Sequence, residues 1–334
     1  MRAVLERHQS WIYLAFILAG VGVGLLRPDF TATLDRLLWP LLGVLLYVTF
    51  TQVPLTHVRD GMRDWRFLSA LLIGNFVVIP LLLAVLVAWL PLSPAIMIGV
   101  LLVLLVPCTD WFISFAHLGK GDAGRAIAAA PLLLFAQLAM LPLYLWFFLG
   151  QEWLEAVLST HLLVAFVGLI LTPLFLAWLT ERVAENQPRM QSLVRGMGAL
   201  PVPLLSVVVF VIAASQVNTV AGLLDVLWQV LLIFVGYLVV AAFLGKFMGH
   251  LFRLDAPSTR TLTFSFGTRN SFVVLPIALA LPEPWQAAVV VIVFQSLVEL
   301  FGMAAYLSWV PRWLIPASSG PPPDQHASRS GLSR

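Results

Sequence analysis

Ten apolar stretches run through this 334-residue chain with only short polar connections between them. They are Trp11–Leu26, Arg36–Val53, Phe67–Leu90, Ala95–His117, Ala126–Leu149, Ala156–Leu179, Leu200–Val217, Leu223–Lys246, Arg260–Leu281 and Trp285–Val310. A helix needs about 20 mostly apolar residues to cross the hydrocarbon core of a bilayer, and each stretch is near that length. Composition agrees: 60% of the residues are apolar and 10% charged, against about 25% charged in a soluble domain. The spacing therefore predicts an all-α polytopic membrane protein with ten transmembrane helices.

The basic residues lie in the caps between apolar runs, which sets orientation and argues against nucleic acid as a partner despite the net charge of +3. Arg2 and Arg7 precede the first run. Alternate connections then carry Arg59, Arg63 and Arg66; Lys120 and Arg125; Arg182, Arg189 and Arg195; Lys246, Arg253 and Arg260; and the end of the chain carries Arg312, Arg329 and Arg334. The other side has only Arg27 and Arg36. The positive-inside rule places both termini in the cytoplasm, with the protein multi-pass in the cytoplasmic (inner or plasma) membrane. Residues 1–10 resemble the start of a signal sequence, but no small-residue cleavage site follows, so they are read as a cytoplasmic N-terminus leading into the first span. Residues 312–334 turn polar and Pro-rich through Ser318-Ser319-Gly320-Pro321-Pro322-Pro323 and are expected to form a disordered cytoplasmic tail.

Two stretches carry opposite charges at their interruptions. Val106-Pro107-Cys108-Thr109-Asp110-Trp111 interrupts the fourth, and Phe266-Gly267-Thr268-Arg269-Asn270-Ser271 the ninth. Pro107 lacks an N–H and displaces a carbonyl, and Gly267 gives its segment no side-chain support. Backbone groups freed at bilayer depth must be satisfied by protein, water or ligand. An ionised side chain there costs roughly 2.5–3.5 kcal/mol on insertion scales and marks a solute or ion pathway by default. The fourth and ninth positions imply two halves of five helices, residues 11–150 and 151–311, and an odd number per half makes them inverted repeats. An offset of 159 residues relates Thr109 to Thr268, Asp110 to Arg269 and Phe135 to Phe294. Inverted repeats whose broken helices cross near the midplane are the architecture of many secondary transporters. On this reading Asp110 and Arg269 lie near each other, either as a structural ion pair or as a coupling element; the plainer alternative is two kinked helices with ordinary polar packing.

Further polar residues inside spans are Asn75, Gln137, Gln295 and Glu299, each open to helix packing or cavity lining. Thr109, Ser265, Thr268, Asn270 and Ser271 add neutral hydrogen-bonding groups at the breaks. Cys108, the one cysteine, excludes an intrachain disulfide and any multi-cysteine metal site. Its thiolate is a soft ligand for trivalent arsenic, although a small residue filling a helix contact explains it as well. Gly119-Lys120-Gly121-Asp122-Ala123-Gly124-Arg125 lacks P-loop spacing and reads as a tight turn. Asp110, His117 and His161 offer no nucleophile–base pair at plausible spacing, so an enzyme is disfavoured, and no cofactor or metal signature is present. A channel or receptor is the remaining class.

These features resemble the bile acid:sodium symporter superfamily. Pro107-Cys108 followed by Gly121-Asp122, and Phe266-Gly267 with Asn270, are similar to motifs of its arsenite-permease branch. The resemblance implies a core of spans 3–5 and 8–10, a panel of spans 1, 2, 6 and 7 moving against it, and a substrate site between them. It carries Cys108 over as the branch's fourth-helix thiol and Asn270 as its ninth-helix amide. Two departures stand out: Val273 replaces an acid of the arsenite permeases, and Ser271–Leu281 has no acid or Gln of the kind that holds sodium in the bile acid branch. Arg269 puts a fixed positive charge there, which repels sodium at short range. The expectation is an arsenite or related oxyanion exporter conferring arsenic resistance, not sodium-coupled at the ninth helix, with protons as the candidate coupling ion. An uptake carrier for a small organic anion is the second expectation.

Overall fold

The computed structural model describes residues 2–27, 31–54, 64–90, 92–150, 164, 166–282 and 285–316. Its helices are α1 (Arg2–Leu26), α2 (Thr31–Phe50), α3 (Trp65–Trp89), α4 (Pro94–Leu105), α5 (Trp111–Leu118), α6 (Ala123–Leu149), α7 (Val167–Ala184), α8 (Pro188–Met197), α9 (Pro201–Ser215), α10 (Val217–Leu251), α11 (Ala256–Gly267), α12 (Ser271–Leu279) and α13 (Ala287–Trp309). Among the described residues, six single helices are long and apolar enough to cross a membrane, or seven if α8 and α9, bent by 42°, make one span. The fourth and ninth apolar stretches are each divided in two, α4 with α5 and α11 with α12, so no half reaches spanning length. The first part of the sixth stretch and His161 lie outside the described residues.

The helices form two packing groups. In one, α1, α2, α7 and α9 pack on one another; in the other, α3 to α6 pack with α10 to α13. The groups meet where α1 approaches α13 and α2 approaches α12. Helices in lipid gain little from hydrophobicity against one another and instead approach closely through small residues. The pair α10–α11 shows this: a Cβ on Gly245 would overlap Thr263, and one on Gly249 would overlap Thr259, one turn along the same contact.

At the face bearing Lys120 and Arg125, aspartates start three helices of the second group. Asp64 Oδ1 accepts from Phe67 N at 3.2 Å, Asp122 Oδ1 from Arg125 N at 3.0 Å, and Asp255 Oδ1 from Ser258 N at 3.1 Å. Each cap satisfies an N–H that the first turn leaves without a helical partner. Arg125 joins all three: its Nε donates to Asp64 at 2.7 Å, and its Nη1 reaches Asp122 at 3.2 Å, Asp255 at 3.4 Å and the Ser258 hydroxyl. One guanidinium thus ties α3, α6 and α11 into a unit.

The last helix continues beyond the expected boundary at residue 311. A π-helical turn, Val310–Leu314, extends α13, and Arg260 holds its end by donating from Nε to Ile315 O at 3.0 Å and from Nη1 to Lys120 O at 3.0 Å. Arg260, expected at a solvated cap, is buried for this reason. Residues 317–334, where a disordered tail was expected, lie outside the described residues.

The clamp makes an acid-dependent prediction. Burial pushes the Asp255 carboxyl up, but hydrogen bonds from Ser258 and the nearby Arg125 outweigh it and hold the carboxyl below its ordinary range. Its contribution to stability is therefore full above the unfolded carboxylate pKa and disappears as pH falls through the lower folded value. In detergent, the wild-type melting temperature should fall on that acid limb, and Asp255→Asn, which keeps a capping oxygen without the charge, should flatten it; an unchanged limb removes Asp255 as its source. Because Arg125 is about one-third exposed, screening limits its value, and Arg125→Gln should lower the midpoint by about 2–4 °C, as a change near 1 kcal/mol does.

Candidate functional site

The two helix breaks cross and bond to each other. Val106 and Thr268 take extended backbone angles, ending α4 and α11. Cys108 N donates to Thr268 O at 3.2 Å, and Asn270 N donates to Val106 O at 2.8 Å, an antiparallel bridge centred on Pro107 and Arg269. Exchanging Pro107 with Arg269 converts one bond into the other, so the crossing has a local two-fold pattern. The bridge pairs positions 162 apart (269 minus 107), and the first break, residues 106–110, is two residues longer than the second, 268–270.

Asp110 sits at the N-cap of α5, while the guanidinium of Arg269 reaches the C-terminal ends of α4 and α11. Nη1 donates to Leu104 O at 3.2 Å; Nη2 donates to Ser265 O at 3.2 Å, Phe266 O at 2.7 Å and Asn75 Oδ1 at 3.0 Å. All these acceptors are neutral oxygens, and none belongs to Asp110. Helix C-termini carry partial negative charge, so the guanidinium is compensated by two of them at once. The Tyr237 ring lies 5.4 Å from its carbon, within cation–π range, and the Tyr237 hydroxyl donates to Phe266 O at 2.7 Å. Asn75, in the π-helical turn Gly74–Val78, is fixed by donating to Leu71 O at 3.1 Å and Ser265 Oγ at 3.2 Å.

The other sequence-flagged residues divide sharply. Arg269 N donates to Glu299 Oε2 at 2.8 Å, Gln295 Nε2 to the same oxygen at 2.7 Å, and Ser271 Oγ to Gln295 Oε1 at 2.9 Å. Asn270 caps α12 by accepting from Val273 N at 3.3 Å, and its Nδ2 faces Thr109 Oγ1 at 3.5 Å. Thr268 Oγ1 returns to Phe264 O at 2.8 Å, and the Cys108 thiol donates to Asp110 Oδ1 at 3.2 Å. Gln137 is buried on α6 with neither amide atom hydrogen-bonded, and it stays outside this network. Tyr237 and Trp111 were not singled out beforehand, since an isolated aromatic in an apolar stretch has no distinguishing pattern.

Two spaces adjoin the crossing. A cavity of about 280 Å³ lies between the packing groups, lined by Gln52, Pro54, Gly198, Pro201 and Val202 on one side and Asp110, Trp111, Ile113, Ser114 and Ile127 on the other. A void of about 20 Å³ lies deeper, where Cys108, Arg269, Ser271 and Glu299 meet Tyr13 and Leu205.

Several long apolar helices, with two others interrupted at a mutually bonded crossing beside a cavity, are the architecture of a multi-pass membrane protein. The model of the Sodium Bile acid symporter family matches residues 39–223, more than half of the chain, and the protein belongs to that family. It is accordingly a secondary transporter of the bile acid or related anion type. The match includes the first break and ends before the second. A search of curated proteins found no match.

The network predicts which change at Arg269 is tolerated. Arg269→Lys keeps the charge near the helix ends, whereas Arg269→Met removes four hydrogen bonds, each worth about 1 kcal/mol, and leaves only Phe266 O with another side-chain donor, the Tyr237 hydroxyl. Arg269→Met should lower the melting temperature far more than Arg269→Lys in detergent-solubilised protein. Equal midpoints for the Met variant and wild type would remove the guanidinium as the support of the crossing.

Proposed function

We propose that this transporter is a ten-span carrier of two inverted five-helix repeats that exports arsenite or a related oxyanion by alternating access. The observation carrying the mechanism is the Arg269 guanidinium bound by the carbonyl ends of α4 and α11 and by Asn75. Such oxygens suit a cation, and here the chain supplies the cation covalently. Coupling to sodium at this position is unnecessary and electrostatically opposed.

The two-fold hydrogen-bond pattern of the crossing supports inverted halves, and the ten apolar stretches support the span number. The sequence bias of Lys and Arg supports cytoplasmic termini, so the 280 Å³ cavity opens toward the cytoplasm, as an exporter requires in its loading state. Substrate entering it meets Asp110 and then the thiol bonded to that carboxylate. The buried acid disfavours an anion and suits the neutral hydroxide form of trivalent arsenic; Cys108 adds a soft sulfur. Asp110 is also the proposed proton acceptor. Family membership supports organic-anion uptake as the second reading.

In an exporter-deficient strain, the wild-type gene should restore growth in arsenite, Cys108→Ala should restore it poorly, and Asp110→Asn should be weaker still. No protection by a well-expressed wild-type protein, with sodium-driven uptake of a bile acid in vesicles instead, would overturn the arsenic reading. A separate measurement addresses coupling: arsenite flux in vesicles should be unchanged when choline replaces sodium on both sides. Flux that vanishes with sodium would sink the covalent-cation role.

A further inference from the structure

The 280 Å³ cavity and the 20 Å³ void share one wall residue, Trp111. A single water needs about 10–15 Å³ of such space, so the inner void holds roughly one. A solute of several heavy atoms fits the outer cavity and cannot enter the inner one without rearrangement.

Trp111 is the first residue of α5, directly after Asp110. Its indole stacks on Tyr13 of α1 with centroids 6.2 Å apart and planes at 21°, and meets Phe272 of α12 edge-on at 5.7 Å. Tyr13 and Phe272 are both buried. The stack therefore joins the two packing groups, with α1 from one and α5 and α12 from the other. Aromatic pairs in these geometries attract each other modestly beyond area burial, enough to bias a closed state and weak enough to open in transport. Asp110 lines the cavity; Cys108, Ser271 and Glu299 line the void, and the Cys108 thiol bonds the Asp110 carboxylate where the two spaces adjoin.

We propose that Trp111 is the inner gate of the transport path, its indole forming the wall common to the cavity and the void lined by Cys108 and Glu299. Opening requires the Tyr13 stack to part as α1 moves relative to α5. The gate rests on the transporter reading and does not depend on arsenic as the substrate.

The chain's one cysteine lies just behind the ring, so its alkylation rate reports the gate without any transport measurement. Purified protein in nanodiscs would be exposed to a charged, membrane-impermeant methanethiosulfonate. Wild type and Trp111→Phe should react slowly, and Trp111→Ala at least tenfold faster. Tyr13→Leu, which removes the stacking partner while leaving the indole, should fall between them. Trp65→Ala, at an exposed position, should match wild type, and melting curves would show which variants are folded. Equal rates for folded Trp111→Ala and wild type overturn the gate, as does rapid labelling of wild type; if Trp111→Ala does not fold, a wild-type rate in folded Tyr13→Leu overturns it. Failure of arsenite protection in cells with the expected labelling pattern would reject the substrate and keep the gate.

Discussion

Two helices broken at bilayer depth expose backbone groups that lipid cannot satisfy, and everything distinctive in this structure follows from how those groups are met. Val106, Cys108, Thr268 and Asn270 pair with each other across the crossing. The carbonyls of Leu104, Phe264, Ser265 and Phe266 near the ends of α4 and α11 take donors from Arg269, Tyr237 and the Thr268 hydroxyl. The breaks are thus mutually dependent: extended backbone in either is tolerable because the other is extended beside it. A kink of ordinary origin, at one proline in one helix, would not require a partner of this kind.

The same requirement explains a buried arginine. Its charge is set against two helix termini and an amide rather than a carboxylate, an arrangement that spreads compensation over neutral dipoles. Glu299 is engaged by the backbone N–H of Arg269 and by Gln295, not by the guanidinium. Asp110 stays at the start of α5, lining the cavity and accepting from the Cys108 thiol.

Much of this was legible in the residues. Apolar run length marked the helices, Pro107 and Gly267 marked the interruptions, and isolated charges marked the crossing as more than packing. The pairing at the crossing was not legible, because it brings Pro107 beside Arg269 across 162 positions and no local pattern announces that contact. Asn75 was visible as a polar residue within a span, but its pairing with Arg269 spans 194 positions and depends on a π-helical turn that no local pattern announces. Gln137 looked equivalent to Gln295 on the last helix of each half, yet only Gln295 has serine and glutamate within reach. Arg260, counted among solvated basic residues, is drawn inward by the carbonyls of Ile315 and Lys120.

Rigidity and motion are then assigned to different parts of the molecule. The crossing, its arginine and the Arg125 clamp bind α3, α6 and α11 to the broken helices, so this group has strong reasons to move as one body. The other group has few contacts with it, and one of them is the stack of Tyr13 on Trp111. A solute cannot pass a void the size of one water by diffusion alone. On the proposed mechanism, passage separates the surfaces on either side of that void, Tyr13 and Leu205 on one group and Cys108, Trp111 and Glu299 on the other. The proposed path thus follows the boundary between the groups, where displacement would break aromatic and apolar contacts while the hydrogen-bonded crossing stays whole.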